Sequence, residues 1–157
     1  MIPAKFVRPC KLDGVKGPAI LLPTSKHGEP FIVVGTGDAA RVCFLGENYR
    51  FQAFPQAEGG NWNGIAVEGI EIELELDSAG SDLGTMPGAM IRTGTELQLA
   101  VSIRSHGFPE SRRVTVQSDL PAGGNGCDVV FTRWRAVIKD GDKVIEIKRV
   151  DATPQPE

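Results

Sequence analysis

From Ile70 to Asp77 the chain alternates apolar and acidic residues without a break: Ile70, Ile72, Leu74 and Leu76 against Glu71, Glu73, Glu75 and Asp77. A period of two predicts a β-strand with one dry face and one wet face. On a helix the same apolar residues would spread round the cylinder and bury nothing. A second clean alternation covers Thr95–Arg104. Leu97, Leu99, Val101 and Ile103 take one face, and Glu96, Gln98, Ala100, Ser102 and Arg104 the other. Pro30–Gly35 carries the unbroken run Phe31, Ile32, Val33, Val34, which predicts a strand buried on both faces. Further strands are predicted over Lys5–Leu12, Pro18–Thr24, Arg41–Gly46, Asn48–Phe54, Ala89–Arg92, Arg112–Ser118, Cys127–Lys139 and Asp142–Val150. The acidic strand extends back to Ile65, with a bulge at Gly69 where the alternation changes phase.

Asp140-Gly141 between two β-rich runs is a strong hairpin signal and predicts a type I′ turn. With those two residues as the loop, Lys139 opposes Asp142. Counting back pairs Trp134 with Ile147, Ala136 with Ile145, Val137 with Val144, Arg135 with Glu146 and Arg133 with Lys148. The last pair sets like charges across a ladder, which is unfavourable. Arg133 and Lys148 are therefore the expected partners of the acidic strand, with Arg104 next. The acidic row needs partners, because carboxylates on one strand face sit about 6.6–7 Å apart and repel by roughly 0.6 kcal/mol per neighbour in water.

Many short strands with frequent turn signals predict an all-β fold. The expected architecture is a β-sandwich of jelly-roll-like or Greek-key order, with a closed or partly open β-barrel as the alternative. Long connections at 55–64 and 78–94 suit strands that cross between sheets and favour the sandwich. One β domain is expected over residues 1–150, with 151–157 a loose tail.

Composition agrees. The 157 residues include 19 Gly and 11 Pro, and the longest stretch free of both is Cys127–Asp140. Little room is left for a helix of typical length, about 11–12 residues. The net charge of −3 argues against a role on nucleic-acid backbones. No run approaches the ~18 apolar residues of a membrane span. Cys10, Cys43 and Cys127 fit neither a disulfide framework nor a zinc motif. With no signal-peptide core at the N-terminus, the expected location is the cytoplasm.

Candidate chemistry is sparse. His27 lies in a polar turn and His106 just past a strand end, and neither has metal-ligand spacing to another donor. Ser25, Ser102, Ser105, Cys43 and Cys127 offer nucleophiles, but without a nucleophile-elbow pattern. No catalytic residue, metal or cofactor is assigned. The Gly-rich loop holding Asn61, Trp62 and Asn63 is a candidate binding surface, since an aromatic ring with amide neighbours suits stacking. Its other reading is a plug in which Trp62 folds back over the end of the sandwich. Arg112, Arg113 and Arg104 form a cationic cluster beside His106, with Glu110 and Asp119 as expected partners. The function expected from these residues is a non-enzymatic β-sandwich module that binds a protein partner or self-assembles. The alternative is a small ligand-binding or hydrolytic barrel using His106 or His27.

Overall fold

The computed structural model describes residues 1–24, 28–59, 62–81, 86–105, 107–122 and 127–153. Among them the strands are β1 (Val7–Lys11), β2 (Ala19–Pro23), β3 (Phe31–Val34), β4 (Arg41–Phe44), β5 (Ala53–Pro55), β6 (Asn63–Glu68) and β7 (Glu71–Leu74). The chain continues through β8 (Ala79–Gly80), β9 (Met90–Thr93), β10 (Glu96–Ser105), β11 (Phe108–Gln117), β12 (Val129–Phe131), β13 (Arg133–Asp140) and β14 (Lys143–Asp151). The helices described are three-residue 3-10 turns. The strands form a six-stranded sheet (β1-β6-β2-β3-β4-β5), a five-stranded sheet (β11-β10-β9-β12-β8) and a three-stranded sheet (β14-β13-β7), with antiparallel pairing. They are not closed into a barrel, and the all-β sandwich stands.

The six-stranded sheet is apolar on both faces. Ile20, Ile32, Val34, Cys43 and Val67 point into the main core, where they meet Met90, Ile91, Leu99, Val101, Trp134 and Ile138 of the other two sheets. Leu21, Phe31, Val33, Val42 and Ala66 point the other way, into a second core closed by Leu12 and Val15. The unbroken run at Phe31–Val34 is thus divided between two cores, and all four residues are buried.

Loops cover the second core. Gln56 Nε2 donates to the carbonyls of Leu12 (2.8 Å) and Val15 (2.7 Å), tying the turn Gln56–Glu58 to the turn Leu12–Gly14. Gly59 is required here, because a Cβ would lie 2.4 Å from a Leu12 methyl.

In the main core Trp134 is 2% exposed, and its indole Nε1 donates to the Gly88 carbonyl at 2.7 Å. Gly88 has φ +91, and a Cβ there would strike the Phe51 ring.

The acidic segment differs from its expected form. Gly69, at φ +72, is no bulge but the point where the chain changes sheet. β6 belongs to the six-stranded sheet and β7 to the three-stranded one. The alternation changes phase there because each half faces a different neighbour. Asn48–Phe54 is also mostly a turn, with Tyr49 and Phe51 at positive φ, and its strand begins only at Ala53. Cys127–Lys139 splits at Thr132 into β12 and β13, which lie in different sheets.

The last hairpin forms in a shifted register. Asp140 pairs with Lys143, so Gly141 and Asp142 make the turn. Gly141 has φ +60 and Asp142 is not left-handed. That pattern wants Gly first, as in a type II′ turn, and moves the register by two. Ile147 is then an extra residue in β14, and Trp134 pairs with Val150. Beyond Ile147 the offset is three, and Trp134, Ala136 and Ile138 still share the core face because they alternate along a single strand. Pairing runs on to Asp151, and Ala152 is buried; 154–157 lie outside the described residues.

The shift changes who neutralises the acids. Arg133 binds Glu75 (2.6 Å) and Asp77 (3.0 Å), Arg135 binds Glu73 (2.6 Å), and Lys139 binds Glu71 (2.9 Å). Arg133 was an expected partner; Lys148 and Arg104 are not used. Arg135 sits directly across from Glu73 in the ladder, whereas Lys148 lies on β14, with β13 between it and β7. Glu146 receives Arg149 (2.8 Å) and Arg135 (3.4 Å), and these hydrogen bonds hold its carboxyl below the ordinary range. The hydrogen bonds that Arg133 donates to Glu75 and Asp77 raise its own pKa.

Two outcomes follow from these contacts. Trp134→Phe leaves the Gly88 carbonyl without its donor, and urea unfolding should show a loss of about 1–3 kcal/mol. A carboxyl with a lowered folded pKa stabilises above its unfolded value and loses that contribution as the pH falls through the folded one. Thermal stability should therefore fall with acid below about pH 4.3, the ordinary glutamate value, and Glu146→Gln should flatten that slope.

Candidate functional site

Strand lengths position the site. β10 and β11 have ten residues each, whereas β3 and β4, which lie across the core, have four. At about 3.3 Å per residue the longer pair overhangs. The expected short strand Arg112–Ser118 starts at Phe108 instead, because Ser105 pairs with Phe108 across a tight turn with Gly107 at φ +84. The result is a hairpin arm. Phe108 to Arg113 are all exposed, and Phe108 at the tip is 76% exposed. His106 lies outside the described residues, as do His27 and Asn61.

Arg112 and Arg113 sit on the outer strand of the arm. Arg112 meets Glu110 at 3.3 Å, as expected. Arg113 pairs with Asp128 at 3.0 Å rather than with Asp119, which occupies a left-handed turn. Hydrogen bonds from Thr93 and Arg113 lower the Asp128 carboxyl. Among the described residues Arg104 has no ion pair.

At the foot of the arm the two sheets part. A cleft of about 430 Å³ is lined by Arg41, Arg112, Arg113, Thr36, Thr115 and Ser118 and floored by Val101, Ile103, Val114 and Val116. A neighbouring cleft of about 440 Å³ shares Arg41 and Ile103 with it and adds Arg104, Gln52 and Phe54. Arg41 opens β4 directly after the turn Gly37–Ala39. Its Nη1 donates to the carbonyls of Asp38 (2.8 Å) and Ala40 (3.0 Å).

The Trp62 loop lies elsewhere, over the second core. The indole packs edge-on to Phe31, with centroids 5.4 Å apart, and the Trp62 carbonyl accepts the Leu12 amide. The residue is nevertheless 48% exposed. It is therefore both a cover for the core and one end of an aromatic row, continued by Phe31, Phe44, Phe54 and Tyr49. Asn63 begins β6 opposite Lys11. The structure does not bring this loop to the arm as one site.

Sequence reasoning missed Phe108 and Arg41. Phe108 had a legible signal, a bulky apolar residue directly after His-Gly and outside the alternation of the preceding strand. Arg41 had none, because its role depends on the cleft around it. The Cys43 thiol is fully buried, which pushes its pKa up and leaves it a core residue. Among the described residues no cluster of His, Cys, Asp and Glu could hold a metal ion. No helix described is long and apolar enough to cross a membrane.

These features define an antiparallel β-sandwich with an overhanging hairpin arm and a cationic cleft at its foot. The chain belongs to the family described as "Uncharacterised protein y4lG", whose model matches residues 9–157. It is 30% identical over 126 residues to the uncharacterized protein y4lG of Sinorhizobium fredii, covering 78% of this chain and 76% of that protein. No solved structure matches the chain.

Replacing the half-covering indole tests its structural part. Trp62→Ala should lower stability by about 1–2 kcal/mol in urea unfolding, because Phe31 loses its aromatic neighbour and the second core its cover.

Proposed function

We propose that this chain is a non-catalytic interaction module that docks its β10–β11 arm into a protein partner. The observation that carries the reading is Phe108, a 76% exposed aromatic ring on the tip of a two-stranded arm. Leaving such a ring in water forgoes most of the ~1.5–3 kcal/mol that full burial would contribute. A hairpin presents it with little ordering left to do on binding.

Arg104 lies opposite Pro109 beside the tip, and Arg112 and Arg113 follow four and five residues beyond Phe108 on the same strand, with Glu110 pairing Arg112 and Asp128 pairing Arg113. Aromatic and arginine side chains are the types that dominate interface energetics. The complementary partner surface is an apolar pocket rimmed with carboxylates. Strand addition along the arm's open edge is disfavoured. Pro109 lacks an amide hydrogen, and an antiparallel second copy centred on Arg113 would set like charges opposite each other. Docking therefore proceeds through side chains.

A photo-crosslinking amino acid placed at position 108 tests this in cells of the source organism. The expected result is one discrete heteromeric adduct, lost when Arg104→Glu is added and absent when the crosslinker is moved to position 148. An adduct of two copies of this chain, or one that ignores Arg104→Glu, overturns the reading. With the captured partner purified, Phe108→Ala should weaken binding by about 2 kcal/mol or more and leave the thermal midpoint in place.

A further inference from the structure

We propose that the cleft at the foot of the arm binds a small organic oxyanion, a phosphate or carboxylate joined to a short apolar group. The site does not involve Phe108 or Arg104; it shares Arg112 and Arg113 with the arm, and Arg41 is the residue that distinguishes it from partner docking. Its lining is cationic in a chain of net charge −3: Arg41, Arg112 and Arg113 line it, and among the described residues no Asp or Glu does. Its floor is apolar, from Val101, Ile103, Val114 and Val116, and three hydroxyls stand at its wall, on Thr36, Thr115 and Ser118. Its volume of about 430 Å³ lies within the range of small-molecule sites.

Arg41 is the centre of the site. Its Nη1 is held by the carbonyls of Asp38 and Ala40, and these two bonds fix the plane of the guanidinium without neutralising it. The remaining donors are the Nε–H and the Nη2 hydrogens, which have no protein partner among the described residues. Those are the donors of one guanidinium edge, the edge that meets a carboxylate or phosphate through two parallel hydrogen bonds. Arg112 and Arg113 add charge from across the cleft. Each has an acid outside the lining, Glu110 at 3.3 Å and Asp128 at 3.0 Å, so they are secondary to Arg41.

The backbone is shaped to present that edge. Gly35 adopts φ +84, and a Cβ there would come within 2.8 Å of the Ala39 carbonyl. The tight turn between β3 and β4 brings Arg41 to the cleft beside Thr36.

Isothermal titration with phenyl phosphate, inorganic phosphate, benzoate and phenol tests the site. Phenyl phosphate should bind at least about tenfold more tightly than inorganic phosphate or phenol, since only it offers both the anion and the apolar body. Benzoate reports whether a single negative charge suffices. Arg41→Ala should weaken phenyl phosphate about tenfold or more. Arg41→Lys, which keeps the charge but not the two-pronged edge, should fall between the two, and Lys11→Ala should change nothing. Thermal melts of each variant establish folding, and Arg112→Ala serves if Arg41→Ala does not fold. The proposal is overturned if phenyl phosphate shows no heat at millimolar concentration, if it binds no better than inorganic phosphate, or if folded Arg41 and Arg112 variants bind as wild type does.

Discussion

The six-stranded sheet has no wet face, and the rest of the molecule is arranged to satisfy that condition. A sheet whose central strand reads Phe31, Ile32, Val33, Val34 must be covered on both sides, since each uncovered side chain would forgo about 1.5–3 kcal/mol. One side is covered by the two smaller sheets, with Trp134 as the largest buried side chain between them. The other has no sheet to cover it. The loops at Leu12–Val15 and Gln56–Gly59 do so instead, clipped together by Gln56 and closed at the rim by Trp62. Loops this close to a core need their backbone groups satisfied, and the Gln56 amide supplies the donor for two carbonyls.

Covering sheets and covered sheet do not match in length. β10 and β11 run past the ends of β3 and β4, and the excess becomes the arm. Where the sheets separate beneath it, the core ends in a cleft whose floor is core-like and whose walls are charged. Arm and cleft are therefore two consequences of one mismatch, a surface that projects and a surface that recedes. Among the described residues, five of the six sheet edges carry prolines or charges, and the sixth, β8, is only two residues long. Pro9, Pro55 and Pro109 remove edge donors from β1, β5 and β11, and charged side chains line β7 and β14.

Legibility in the sequence followed the range of the interaction involved. Most strand positions, the two-sided burial of β3 and the sidedness of β10 and β13 follow from local alternation, and these stand; the turn within Asn48–Phe54, the split at Thr132 and the early start of β11 at Phe108 do not. The acidic row was legible as a sheet contact, and Arg133 was legible as one of its partners. Arg135 and Lys139 were not, because their assignment depends on a register set by Gly141 and on the extra residue at Ile147. Among site residues, Arg112 and Arg113 stood out as adjacent charges, and only the fold brings them together with Arg41, 71 and 72 positions away in the chain. Trp62 stood out as a plug or a platform; it packs on Phe31 over the second core and stays 48% exposed.

By itself the sequence determined that the protein is all-β, which residues face inward, and that its acidic strand pairs with basic residues. Those properties are fixed by side-chain period and by the preferences of Gly and Pro, each acting over a few residues. The tertiary structure alone decided that Gly69 sends one run into two sheets, that β10 and β11 overhang, and that Arg41 meets Arg112 and Arg113. The reason is physical: strand order, register and overhang arise from packing between segments far apart in the chain, and a local pattern of hydrophobicity is the same for every such arrangement.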